Sequence, residues 1–288
     1  MDRGALFLIS LILFSCSNPI ERSKRLLEKG RYNEAEGILL YSLKKGESSQ
    51  EIFLLLGEIY VKKGHYLSAI NYFEKILDKK KYKDRLVKNL REIFNETKSR
   101  GSEIAKRAIS LIFLISPESL TFDEKKFVAY LLIEKEQSEL YTFIENLLSE
   151  KFDDELYLTY IKFLYEKGKN SSIFYVFDKF KNNVLNSELR LSILFYVGTA
   201  YYKEGERCFD QGKVDSSNYY LSKYIEMGVP EIYLPKAYFL RGKLNLIKED
   251  TMLALYDLRK VIEILPFKNS DIAQEARELI KELKLKGF

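Results

Sequence analysis

The chain is poor in the residues from which most active sites are built. It has one histidine and two cysteines in 288 residues. A lone His65 excludes a multi-histidine metal centre and leaves a histidine-centred triad without support. Cys16 and Cys208 have no metal-ligand spacing. No glycine-rich phosphate loop follows a strand, and no segment alternates as a strand does. The 14 glycines and 5 prolines fall mostly at the ends of helix-like segments, and no Pro-, Gly- or Ser-rich linker interrupts them. Asp153, Asp154 and Glu155 read as helix caps. Together these absences point away from an enzyme and imply neither a cofactor nor a metal.

No sign of charge dominates either. Lys and Arg number 47 against 42 Asp and Glu, a formal net charge of +5, spread along the helices as solvated faces. The densest basic run, Lys79-Lys80-Lys81-Tyr82-Lys83, is flanked by Asp78 and Asp84 and is not repeated. A nucleic-acid partner wants such clusters repeated along one face with aromatics between them, so none is expected.

What is present is periodic. Phe53, Leu56, Gly57 and Tyr60 are followed by Gly64, Tyr66, Ala69 and Phe73. About 34 residues upstream, Gly30, Tyr32, Ala35 and Leu39 take the places of Gly64, Tyr66, Ala69 and Phe73. The frame returns as Tyr238, Gly242, Ala254, Leu258 and Pro266. Paired antiparallel helices need a residue without bulk where their backbones come closest, and Gly57 and Ala69 supply it on facing helices. Phe53, Leu56 and Tyr60 form one stripe at three- and four-residue steps; Ala69, Phe73 and Ile76 form the other. Lys63-Gly64-His65 is the turn between them, with Gly64 free to end the first helix in the left-handed conformation. A single hairpin cannot bury its apolar face, so neighbours must stack.

These residues resemble the tetratricopeptide repeat (TPR), whose pattern asks for an aromatic, Leu-Gly, Tyr, then Ala, a large apolar residue and Pro. The resemblance implies an all-α solenoid of about seven helical hairpins with a C-terminal capping helix, over residues 16–288. The hairpins run from about Pro19 to Lys45, Gln50 to Asp78, Asp84 to Ile115 and Thr121 to Ser149. A fifth carries Tyr157, Tyr160, Leu164, Gly168, Ile173 and Phe177. The sixth has an overlong first helix, about Ser187 to Gln211, in which Gly198 and Gly205 both fit the close-contact register and the spacing to Gly212 favours Gly205. Its partner spans Val214 to Met227. The seventh runs from Pro235 to Leu265, and Asp271 to Leu285 forms the cap.

The first residues carry a second pattern. Met1-Asp2-Arg3 precedes a mainly apolar run from Gly4 to Phe14, about 16 Å long as a helix and half of a bilayer core, which is a signal-peptide core and not a span. Its end, Leu13-Phe14-Ser15-Cys16, resembles a bacterial lipobox of the spirochaetal kind, to which the Lys-, Ile- and Asn-rich composition is also similar. The resemblance implies removal of residues 1–15, lipidation (palmitate) at Cys16, and a membrane held through the N-terminal lipid. Cys208 is then left without an intramolecular disulfide partner and reads as a small apolar residue in a helix interface. Asn18 and Pro19 form a cap and first-turn pair directly after Cys16, so no flexible tether is expected.

By the TPR resemblance, a partner-binding groove is lined by the first helix of each pair: Leu54, Glu58 and Lys62 in the second, Tyr165 in the fifth, Thr199 and Tyr202 in the sixth, Phe239 and Lys243 in the seventh. Apolar anchors beside isolated charges suit a protein or peptide partner. The expected function is a membrane-anchored envelope scaffold for protein–protein interaction, on the periplasmic face of a membrane. Two other readings stay open: an outer-membrane protein assembly component, and a ligand-binding accessory of a solute transporter.

Overall fold

In the computed structural model, which describes residues 18–100, 102–266 and 270–285, the chain is all-α. The expected signal segment 1–15 and Cys16 lie outside the described residues. Fifteen α-helices and three short 3-10 turns make up the described elements, with no strand among them. None of the described helices is long and apolar enough to cross a membrane. The chain forms two compact units, one ending at Glu134 and the other beginning at Lys135.

The first unit contains α1 (Pro19–Glu28), α2 (Tyr32–Lys44), α3 (Gln50–Lys62), α4 (Tyr66–Glu74), α5 (Lys83–Thr97), α6 (Glu103–Ile115) and α7 (Phe122–Lys135). Asn18 caps α1 by accepting the Ile20 N–H at 3.0 Å, and Pro19 follows at the first helical position, where its missing N–H costs nothing. Helices pair as α1/α2, α3/α4 and α5/α6. The α3/α4 turn closes as the glycine spacing predicts: Gly64 sits at φ 73°, and the His65 N–H returns to the Tyr60 carbonyl at 2.8 Å. Ala35 and Leu39 of α2 share one buried cluster with Ile52, Leu55, Leu56 and Ile59 of α3, so adjacent hairpins close one another's apolar faces. Tyr60, expected in the apolar stripe, is only half-buried, and its hydroxyl donates to Glu36 Oε1 at 2.6 Å.

Gly57 is the point of closest approach. A Cβ there would lie 2.2 Å from Cε1 of Phe73, a ring only 1% exposed. The facing partner is therefore Phe73, one turn beyond the fully buried Ala69.

The second unit holds α8 (Leu140–Glu150), α9 (Asp154–Glu166), α10 (Asn170–Phe180), α11 (Ser187–Asp210), α12 (Val214–Met227), α13 (Leu234–Ile247), α14 (Thr251–Ile264) and α15 (Asp271–Leu285). The fourth expected hairpin supplies α7 and α8, which belong to different units. Pairing resumes with α9/α10, α11/α12 and α13/α14, and α15 buries Ala273, Ala276, Ile280 and Leu283, packing on α13 and α14. The glycine contact recurs at the same sixteen-residue separation: a Cβ on Gly205 would meet Leu221 at 2.8 Å, and one on Gly242 would meet Leu258 at 3.2 Å. In α9 the same register holds Ile161, and α9 packs more broadly on α11 than on its own partner α10.

The overlong α11 uses both of its candidate registers. Gly205 faces Leu221, and its carbonyl accepts the Ser217 hydroxyl at 2.7 Å. Gly198, two turns earlier, seats the connection to the next hairpin: a Cβ there would lie 1.8 Å from the Val229 carbonyl oxygen. Cys208 is buried in the same helix at 2% exposure. At the α13/α14 turn Glu249 takes the left-handed place of the glycine, at φ 59°. That hairpin also buries a polar network that apolar periodicity does not reveal. Arg241 donates to both carboxyl oxygens of Asp257, at 2.9 and 2.7 Å, and Asn245 donates a third bond at 3.1 Å. Burial drives the Asp257 carboxyl above its ordinary range, and the guanidinium only partly opposes this.

Gly198→Ala is expected to lower stability by about 3 kcal/mol, since the Val229 backbone must move. Gly242→Ala is expected to stay within about 1 kcal/mol of the parent, because the Leu258 side chain yields and alanine gains helix propensity. Denaturant midpoints of the two variants check the contrast; equal midpoints would remove the Gly198 contact from the energetics.

Candidate docking surface

The first helices of successive hairpins in the first unit, α1, α3 and α5, lie side by side. Packed helices stand about 8–10 Å apart, so opposite charges at matching heights reach each other. Lys24 of α1 pairs with Glu51 of α3 at 3.4 Å, Glu51 with Arg85 of α5 at 2.8 Å, and Arg85 grips both oxygens of Glu58 at 2.9 and 2.6 Å. Lys62 pairs with Glu92 at 3.0 Å. Burial pushes the Glu51 carboxyl up, but Arg85 and Lys24 outweigh it and hold the group below the usual carboxylate range. Burial likewise works against the Arg85 charge, and Glu58 and Glu51 more than compensate.

Two clefts open on this face. One, of about 330 Å³, is lined by Glu58, Lys62, Arg85, Lys88, Asn89 and Glu92, with Leu27 and Tyr32 supplying apolar wall. The other, of about 290 Å³, is lined by Lys83, Asp84, Val87, Lys88, Arg91, Ser116 and Ser119. Most of their charges are already matched. Arg91 donates to Glu124 at 2.8 Å and to the Ser119 carbonyl at 2.7 Å, and Lys83 pairs with Glu118. Among the lining cations Lys88 is the exception: it is exposed, lines both clefts, and has no ion pair or side-chain hydrogen bond among the described residues; the exposed Asp84, four residues earlier on α5, is likewise unpaired and lines the second cleft.

The expected groove residues separate into two groups. Glu58 and Lys62 line the larger cleft. Leu54, Thr199, Tyr202 and Phe239, expected to face a partner, are instead buried, at 0%, 2%, 4% and 6% exposure. A first helix is covered by its own partner, by the preceding hairpin and by the following first helix, which leaves only a narrow strip of it in solvent. Thr199 spends its hydroxyl on the Phe195 carbonyl at 2.7 Å. Tyr202 stacks on Tyr233 with ring centroids 4.5 Å apart and donates to Glu206 at 3.0 Å. Phe239 lies beneath the Lys243 ammonium, which pairs with Glu275 at 3.1 Å. Tyr165 is half-buried; its hydroxyl accepts from Lys203 at 2.7 Å and its ring meets Tyr196 at 5.4 Å. Lipidation of Cys16 lies outside the described residues.

Sequence reading missed Arg85, Lys88, Asn89 and Glu92, because the third hairpin lacks the small residue that sets the frame. A signal was present: acids at 51 and 58 and a base at 62 face opposite charges about one repeat later, at 85 and 92.

No protein-family model matches the chain, and no curated protein matches it. Among solved structures it is similar to a tetratricopeptide repeat protein from Parabacteroides merdae, at 17% identity over 91% of this chain and 96% of that one, with a TM-score of 0.30. It is also similar to the C-terminal part of a TPR repeat-containing protein from Cytophaga hutchinsonii, at 15% identity over 89% and 98%, TM-score 0.31. PilF of Pseudomonas aeruginosa gives 13% identity over 90% and 95%, TM-score 0.28. The hairpin architecture described above stands on this chain's own glycine contacts and packing rather than on these likenesses.

Arg85→Gln is expected to cost about 1 kcal/mol at neutral pH, the size of a partly exposed two-carboxylate network. The Glu51 carboxyl is depressed in the folded state, so its contribution is present above the ordinary carboxylate range and is lost as pH falls through the depressed value. The penalty should therefore shrink below about pH 4. Urea midpoints of parent and variant at pH 7 and pH 3 check this; a penalty that does not change with pH would take Glu51 out of the network.

Proposed function

We propose that this chain is a non-enzymatic docking scaffold of the bacterial envelope, anchored by acylation at Cys16, that captures an acid-bearing peptide segment on the first-helix face of its first unit. The observation that carries the docking reading is Lys88, an unmatched ammonium shared by two clefts whose other cations are paired. An incoming carboxylate finds one charge to neutralise there, while Leu27, Tyr32 and Val87 offer apolar contact to neighbouring side chains. Lys62, Arg85 and Arg91 around it are already ion-paired, and side chains placed in advance lose less entropy on binding. Leu13-Phe14-Ser15-Cys16 supports the anchor, and the short interval between Cys16 and the Asn18 cap supports work close to a membrane.

The chain from Ser17 onward, tested by fluorescence anisotropy against extended peptides with and without an acidic residue, should prefer the acidic ones. Lys88→Glu should weaken that binding at least tenfold, with helicity unchanged by circular dichroism. Equal affinity of parent and variant for acidic peptides would move docking off this face. Labelled palmitate should enter the parent in cells and be absent from Cys16→Ala.

A further inference from the structure

Helix α1 carries more cationic charge than its neighbours use. Lys24 is paired with Glu21 and Glu51, and Arg31, just beyond the helix, is paired with Glu34. Arg22, Arg25 and Lys29 remain: all three are exposed, and none has an ion pair or side-chain hydrogen bond among the described residues. Their spacing of three and four residues puts them on one stripe of the helix. The opposite side of α1 is taken up by the hairpin, where Ser23 is fully buried and Ile20 and Leu27 pack on the cluster shared by α2 and α3; Leu26, at the edge of the stripe, packs on the same cluster. Glu21 and Glu28 border the stripe; Glu21 is held by Lys24, so Glu28 is the one acid left beside it.

The distance to the chain's expected anchor limits what this stripe faces. Only Ser17 separates Cys16 from the Asn18 cap. Two residue steps span at most about 7 Å, and Arg22 lies about 6 Å of helical rise beyond the cap. An acylated Cys16 would hold Arg22 within roughly 13 Å of the acyl attachment point, at the depth of lipid headgroups. With α1 lying along the surface, Arg25 and Lys29 would reach the same layer. No other stripe of the first hairpin combines this nearness with unpaired charge.

We propose that Arg22, Arg25 and Lys29 form a lipid-facing stripe that binds the phosphate groups of an anionic membrane, laying α1 flat and fixing how the first unit sits on the bilayer. The proposal rests on the anchored-scaffold reading for its geometry, but the recognition chemistry is independent of acylation. Guanidinium and ammonium groups near an anionic surface each add to partitioning, and the sum fades as salt screens it.

The test uses the chain from Ser17 onward, which keeps every described residue of both units and lacks the acyl site. Sedimentation with vesicles of pure phosphatidylcholine, and of phosphatidylcholine with one-third phosphatidylglycerol, is measured at low salt. On the order of hundredfold stronger partitioning onto the anionic vesicles is expected. The triple variant Arg22→Gln/Arg25→Gln/Lys29→Gln should bring it near the neutral-vesicle level with the denaturation midpoint unchanged. Lys79→Gln/Lys80→Gln/Lys81→Gln, which neutralises the densest basic run, should leave partitioning within about threefold of the parent. No preference for anionic vesicles, retention of the preference in the α1 variant, or its loss in the Lys79–Lys81 variant would each overturn the proposal. Acylation is read separately from palmitate incorporation at Cys16, so a failed anchor and a failed stripe give different results.

Discussion

In three of the hairpins the fit of the two helices depends on a missing side chain. Where Gly57 and Gly205 stand, the facing Phe73 and Leu221 occupy the volume a Cβ would take, and at Gly242 the facing Leu258 leaves room for one only by yielding slightly; each partner lies sixteen residues later in the chain. That spacing is one helix half, a turn and another helix half, so it fixes how the two helices are staggered as well as how close they come. With stagger set, the apolar stripes of both helices face the same neighbour, and the next hairpin can close them. Ser23 and Ile161 show the limits of the rule: each occupies the same place, seven residues before its turn. The serine preserves the small size at full burial, whereas the isoleucine stands in a helix, α9, that packs more broadly on α11 than on its own partner.

Close hairpins bring a second consequence. Once first helices lie side by side, charges one repeat apart become partners, and in the first unit they lace α1 to α3 and α3 to α5. Such exposed pairs add little stability one by one. Their larger effect is on availability: a charge matched internally is not free for a ligand, and Lys88 on the inner clefts and Arg22, Arg25 and Lys29 on α1 are among the cations left unmatched.

The helices themselves were legible. Asn18-Pro19 marked the start of α1, the ends of α12 and α15 fell where periodicity put them, and α11 was correctly read as overlong. These features depend on local chemistry: caps, glycine turns and three-to-four-residue spacing. Two things were not legible. The competition between Gly198 and Gly205 looked like an ambiguity because sequence offers a single register per helix, whereas the structure gives each glycine its own neighbour. The solvent-facing strip of each first helix was misjudged at Leu54, Thr199, Tyr202 and Phe239, because exposure depends on how the adjacent hairpin lies across it. Most of the charges that line the clefts came from the irregular third hairpin.

The seat that Gly198 provides for the Val229 carbonyl changes what the following segment is. Tyr224 donates its hydroxyl to the Pro230 carbonyl, and Tyr233 lies flat on Tyr202, so residues 228–233 are clamped at three points. A segment clamped in this way acts as a spacer and not a hinge. The pitch from the sixth hairpin to the seventh is thus inherited from the extra turns of α11, and shortening that helix would alter the step between modules without touching either module's own core.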